Sequence, residues 1–143
     1  MGSATVTTEA NLPCFKIDNK EEKSRGPTSL KMLSISEITP DGAKNMWTLM
    51  FPNTSFGSPT YRLPENSCVR YGQVPTGAEA SNARPLKMGK IYSVSFLGRP
   101  ISPSDPTSRY SAKFCVLSAP SGGFHAIQLI GHEEACPAEL PPK

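Results

Sequence analysis

The chain has 143 residues, 37% hydrophobic and 19% charged, which fits one globular domain with a real core and excludes both a two-domain protein and a largely disordered chain. Fifteen prolines, about twice the usual share, argue for strands and loops, because proline inside a helix costs about 3 kcal/mol. No apolar run approaches the roughly 18 residues that a spanning helix needs, and the net charge of +3 is concentrated in residues 62–113, which hold eight basic and three acidic side chains.

Taken in chain order, residues 1–11 (MGSATVTTEAN) have neither the charged n-region nor the apolar h-region of a signal peptide. They are expected to be an unstructured lead-in, with Met1, Gly2 and Ser3 reading as an expression scar. A single domain is expected over 12–136, followed by an irregular tail over 137–143 rich in proline. Leu12–Asp18 alternates as a strand, with Phe15 and Ile17 on one face and Cys14, Lys16 and Asp18 on the other. The charged run Asn19–Gly26 reads as a solvated loop. Ser29–Ile38 reads as a strand closed by the turn Thr39-Pro40-Asp41-Gly42, and Met46–Phe51 as a short apolar strand holding Trp47, expected in the core.

Two short extended pieces, Thr60–Leu63 and Ser67–Tyr71, precede a long polar stretch from Gly72 to Met88. The clearest alternation follows in Lys90–Leu97, Arg109–Ser118 and Gly123–Ile130. Tyr92, Val94 and either Phe96 or Ile91 of the first are inward candidates, and in the second Tyr110, Ala112, Phe114 and Val116 alternate against Ser111, Lys113 and Cys115. In the third, Phe124, Ala126, Gln128 and Ile130 share one face against His125, Ile127 and Leu129. Ser118–Gly123 reads as a hairpin turn. Seven or eight strands with turns between them predict an all-β protein, an antiparallel immunoglobulin-like β-sandwich with long Pro-rich loops; an antiparallel barrel is the second choice.

Four cysteines, Cys14, Cys68, Cys115 and Cys136, permit three pairings, and their placement on strands suggests disulfides in an oxidising compartment. None lies in a C-x-x-C pair or beside a histidine, which argues against zinc. The enzymatic signatures are also thin. His125 sits within a strand pattern, and His132-Glu133-Glu134 lacks the second histidine of a metalloprotease motif. Ser118–Gly123 has no Gly-Lys-Ser/Thr step, so it is no phosphate cradle. Arg70-Tyr71 and Arg109-Tyr110 are the only hints of basic residues interleaved with aromatics on a sheet face, too little for a nucleic-acid surface. No cofactor, metal, nucleic acid or catalysis is expected.

Three segments, Tyr61–Gly72 (YRLPENSCVRYG), Met88–Phe96 (MGKIYSVSF) and Arg109–Val116 (RYSAKFCV), carry a resemblance. Their order is similar to that of the small periplasmic lipoproteins of Gram-negative bacteria that act as type VI secretion immunity proteins, over roughly residues 13–130. The resemblance implies a periplasmic protein, held to the membrane through a removed N-terminal lipid anchor, that binds a secreted effector, a lipase or phospholipase, and covers its active site. It also implies the pair Cys14–Cys68, which leaves Cys115 to join Cys136. The Gly72–Met88 insert and the Cys115/Cys136 pair have no counterpart in that pattern.

Binding surfaces draw on a few aromatic and arginine anchors. Those outside regular alternation are the interface candidates: Phe56, Arg70, Tyr71, Arg99, Ile101 and Arg109. Several bracket the loop Pro100–Ser108, whose prolines would lower the ordering cost of binding. The alternative function is a structural, adhesion or sugar-binding module of the cell envelope, for which Asn53, Phe56 and Tyr61 would form a thin aromatic platform.

Overall fold

The structure is a computed structural model that describes residues 2–17, 30–51, 67–75, 78–98, 109–119, 122–130 and 135–137. Nine strands follow one another with no helix among the described residues: β1 (Gly2–Glu9), β2 (Leu12–Ile17), β3 (Leu30–Thr39), β4 (Gly42–Met50), β5 (Val69–Arg70), β6 (Glu79–Ala80), β7 (Tyr92–Gly98), β8 (Arg109–Ser118) and β9 (Phe124–Leu129). They form one hydrogen-bonded path, β5-β2-β1-β8-β7-β3-β4-β6, with β9 also on β8. Every pair is antiparallel except β1 with β8, so the sheet is not purely antiparallel as the alternation alone predicted.

The sheet curls into a half-barrel around its apolar residues. Phe15, Leu33, Ile35, Val94, Phe96, Tyr110 and Phe114 are fully buried within it, beside Trp47 and Tyr92. Phe15 of β2 meets the ring of Phe114 at 5.3 Å, and Phe114 stacks on Tyr92 at 5.5 Å. At the far ends of the path, Tyr71, just past β5, packs edge-on against Trp47 of β4 at 5.2 Å. The Tyr71 hydroxyl donates to the Arg84 carbonyl at 2.7 Å and lies 3.3 Å from that of Met46. One phenol thus ties together the two ends of the curl.

The first strand is a correction. Residues 2–9 are an ordered strand between β2 and β8, with Ala4 and Val6 in the core, where an unstructured lead-in was expected. Alternation explains it: Ala4 and Val6 face inward while Ser3 and Thr7 face out. The turn into β2 uses Ala10 and Asn11, both with positive φ (52° and 61°), as two-residue hairpins require. β4 also starts earlier than expected, at Gly42, so the Thr39–Gly42 turn closes a tight hairpin with β3. In β9 the expected face holds for Ala126 but not at its end, where Leu129 is buried and Ile130 is 75% exposed.

Both disulfides form. Cys14–Cys68 ties β2 to the approach to β5, and Cys115–Cys136 pins residues 135–137 onto the outer side of β8. The loops 19–26 and 100–108, and the expected strand 60–63, lie outside the described residues.

Candidate functional site

On a strand whose inward residues are large and apolar, the odd positions face away from the core. Here three strands fill those positions with short hydroxylated side chains. β3 carries Ser34 and Ser36 about Ile35, β7 carries Ser93 and Ser95 about Val94, and β8 carries Ser111 and Lys113 about Ala112. Register brings them into line. Thr48, Ser34, Ser95, Ser111 and Ser3 form one row across β4, β3, β7, β8 and β1. Asn45, Ser36, Ser93 and Lys113 form a second row beside it.

Neighbours within a row are about 4.8 Å apart and the rows about 6.6 Å, so the band extends about 19 Å across the sheet. Asn45 fixes one end by donating to Thr48 Oγ1 at 2.9 Å and Ser34 Oγ at 3.3 Å. Ser81 Oγ accepts from the Thr48 backbone N–H at 2.9 Å and carries the hydroxyls one step further. The margins are apolar. Met32, Leu97 and the half-exposed Met50 lie along one side with Arg109, and Ile38 and Ile91 lie along the other. The band is thus polar and nearly uncharged between largely apolar borders.

At β8 the sheet forks. β1 pairs with Tyr110 and Ser111, whereas β9 takes over the same edge from Lys113 onward. Between them lies a cleft of about 400 Å³, lined among others by Ser93, Ser111, Lys113, Gln128 and Ile130. Side chains stitch its back wall. The Gln128 carboxamide accepts from Val6 N–H at 2.9 Å and donates to the Ala4 carbonyl at 3.2 Å, while Thr8 Oγ1 accepts from Ala126 N–H at 2.8 Å. A second hollow of about 540 Å³ lies beside the Cys115–Cys136 bridge, between Met88, Ile91, Leu117 and Pro137. There the Met88 sulfur accepts from the Ser118 backbone and hydroxyl.

The expected interface residues do not converge. Tyr71 is a correction: it is 8% exposed and belongs to the core, because the short β5 turns it inward against Trp47. Burial pushes its phenol up to about 12, with Tyr92 adding to the rise and the hydrogen bond to Arg84 opposing it. Arg70 is half-buried opposite Cys14 on β5, and Arg109 is exposed where β8 begins beside Gly2. The register separates those two by five residues of β1, at least about 16 Å. Phe56, Arg99 and Ile101 lie outside the described residues, as do Asn53, Tyr61 and His132. His125 is exposed on β9 opposite Leu117.

Glu9, Cys14 and Cys68 come within 4.8 Å of one another, but the two sulfurs are bonded to each other and offer no thiolate pair to a metal. The exposed large apolar side chains among the described residues are Ile38, Met50, Val74, Met88 and Ile130, none of them an aromatic on which a sugar ring could stack.

No family model, curated protein or solved structure matches this chain. The hydroxyl band was readable in principle as Ser-x-Ser in two strands and Ser-x-Lys in a third. Only the register that aligns them required the structure.

Proposed function

We propose that this protein binds a secreted toxin and neutralises it, as a periplasmic immunity protein of a type VI secretion system, lipid-anchored in its native form. Under the resemblance the target is a lipase or phospholipase, inhibited by covering its active-site entrance. The observation that carries the reading is the band of aligned hydroxyls with apolar margins on a sheet braced by two disulfides. Small side chains on a rigid sheet cost little entropy to bury, which favours protein–protein recognition.

The quoted motifs take on a physical meaning under this reading. Tyr71, Tyr92, Phe96, Tyr110 and Phe114 are core residues, and Cys68 and Cys115 are bridged. The motifs would then mark the framework, while partner choice resides in the outward Ser, Thr and Lys positions and in Phe56, Arg99 and Ile101. We read the finer architecture as sandwich-like, with β5-β2-β1 facing β8-β7-β3-β4 through the Phe15–Phe114 and Tyr71–Trp47 contacts.

The test is co-purification and calorimetry with the product of the neighbouring gene, using wild type and Ser95→Arg. A large side chain in the middle of the band should weaken the complex at least about 100-fold while leaving the melting temperature within a few degrees. Absence of any complex, or equal affinity in the variant, would refute toxin binding or this face of it, respectively. The hydroxyl rows also favour a second reading, a sugar-binding or adhesion module, which predicts binding to cell-envelope polysaccharide in place of a protein.

A further inference from the structure

Among the described residues, Lys113 is the only charged one lining the cleft at the fork of the sheet. It stands directly across from Ser93 on β7, and Ser111 is two residues before it on the same face of β8. Cβ atoms of such a cross-strand pair lie about 5 Å apart, and those of the i, i+2 pair about 6.6 Å. One ammonium and two hydroxyls therefore surround a single point of the floor. No carboxylate of the described residues lines the cleft, while the rim carries the exposed Ile130 beside Leu129.

We infer that this cleft receives one carboxylate side chain, an Asp or Glu, projected by the protein partner; the inference rests on the toxin-binding reading and adds the chemistry of the contact. Charge matching selects the carboxylate. A lone ammonium balances a monoanion, whereas a phosphate near neutral pH carries up to two negative charges and would leave one uncompensated beside Ser hydroxyls. The ammonium supplies charge-assisted hydrogen bonds, and the Ser93 hydroxyl across from it adds a donor. Ile130 and Leu129 offer apolar surface to the methylenes that carry the carboxylate. The Gln128 carboxamide is already committed to Val6 and Ala4, so it holds the wall of the cleft in place.

The effector is not needed for the test. Backbone amide shifts of the full chain are followed during titration with acetyl-Gly-Glu-Gly-amide, acetyl-Gly-Gln-Gly-amide and inorganic phosphate. The acidic peptide should move the amides of Ser93, Ser111, Lys113 and Ile130, and bind at least about threefold tighter than its glutamine counterpart. Lys113→Met should remove that difference, and raising the salt to about 1 M should shrink it. Unmoved amide shifts at the buried Leu33 and Leu49, away from the substitution, would certify that the variant is folded. Equal binding of both peptides, no shift at all, or an unchanged preference in Lys113→Met overturns the inference, and tighter binding of phosphate overturns the choice of carboxylate. A protein that binds the acidic peptide yet copurifies with no neighbouring gene product would sink the toxin reading instead, so the two failures are distinct.

Discussion

The Glu9 carboxylate lies 3.4 Å from the Cys68 sulfur and 4.0 Å from that of Cys14, placing a negative charge against the bridge between β2 and β5. Reduction of a disulfide begins with attack by an anionic thiolate, and a fixed carboxylate repels that nucleophile. Glu9→Gln should therefore speed reduction of Cys14–Cys68 by small thiols about twofold to fivefold, with Cys115–Cys136 unchanged as the reference in the same molecule. Mass spectrometry of quenched, alkylated samples reads both rates. The gain should fade at high salt, because the repulsion is screened; an equal rate in wild type and variant would assign Glu9 no guarding role.

The two bridges close loops of different length, with separations of 54 and 21 residues. On the chain-entropy account they restrict the unfolded chain by about 4 and about 3 kcal/mol. Replacing Cys14 and Cys68 together by Ser should lower stability more than replacing Cys115 and Cys136, as measured by urea unfolding of each variant. The reverse order would mean that pinning residues 135–137 on β8 matters more than chain entropy.

Gly123 has φ +73°, and a Cβ there would lie 2.6 Å from the Cβ of Asn11 and 2.7 Å from its carbonyl oxygen. The same carbonyl accepts the Phe124 N–H at 2.7 Å, so the β1–β2 and β8–β9 turns touch. Gly123→Ala should cost about 1–3 kcal/mol through backbone strain and separation of the turns. In the facing turn, Ala10 also has positive φ, where Asn or Gly is better suited; Ala10→Gly should raise the melting temperature by a few degrees. A Gly123→Ala variant as stable as wild type, or an Ala10→Gly variant that melts lower, would refute this account of the turns.

Tyr71 makes stability depend on alkaline pH. Its phenol is held up to about 12, chiefly by burial, against about 10 in an unfolded chain. Above about 10 the unfolded chain thus carries fewer protons than the folded one, and stability falls with rising pH. The contribution is whole below about 10 and is lost as the pH climbs through about 12. Burial also raises Tyr92, whose oxygen accepts from the Lys87 N–H at 2.8 Å, so its loss runs in the same direction. Urea midpoints should hold level to about pH 9 and then decline. Tyr71→Phe should begin about 1 kcal/mol lower, having lost the bond to Arg84, and decline less steeply. An identical slope would remove Tyr71 from the account.

The strands with large alternating residues were plain in the sequence, because Tyr92, Val94 and Phe96, or Tyr110, Phe114 and Val116, leave no other period. β1 was not. Its core contribution is only Ala4 and Val6 among threonines, and Ala10-Asn11 is a poor advertisement for a hairpin. β6 is two residues long and exposed, held by its pairing to Leu49 and Met50. Tyr71 was misplaced because a residue just past a two-residue strand has no periodicity to give its direction. The hydroxyl band escaped for a different reason: each Ser-x-Ser pair looks like ordinary solvated polarity until register lays one beside another.

That band alternates residue by residue with Ile35, Val94 and Ala112, which belong to the interior. Under the toxin-binding reading, recognition and folding would be written on interleaved letters of the same three words, with little shared between them. New specificities can arise by exchanging outward letters one at a time, each change leaving the scaffold beneath it to fold as before.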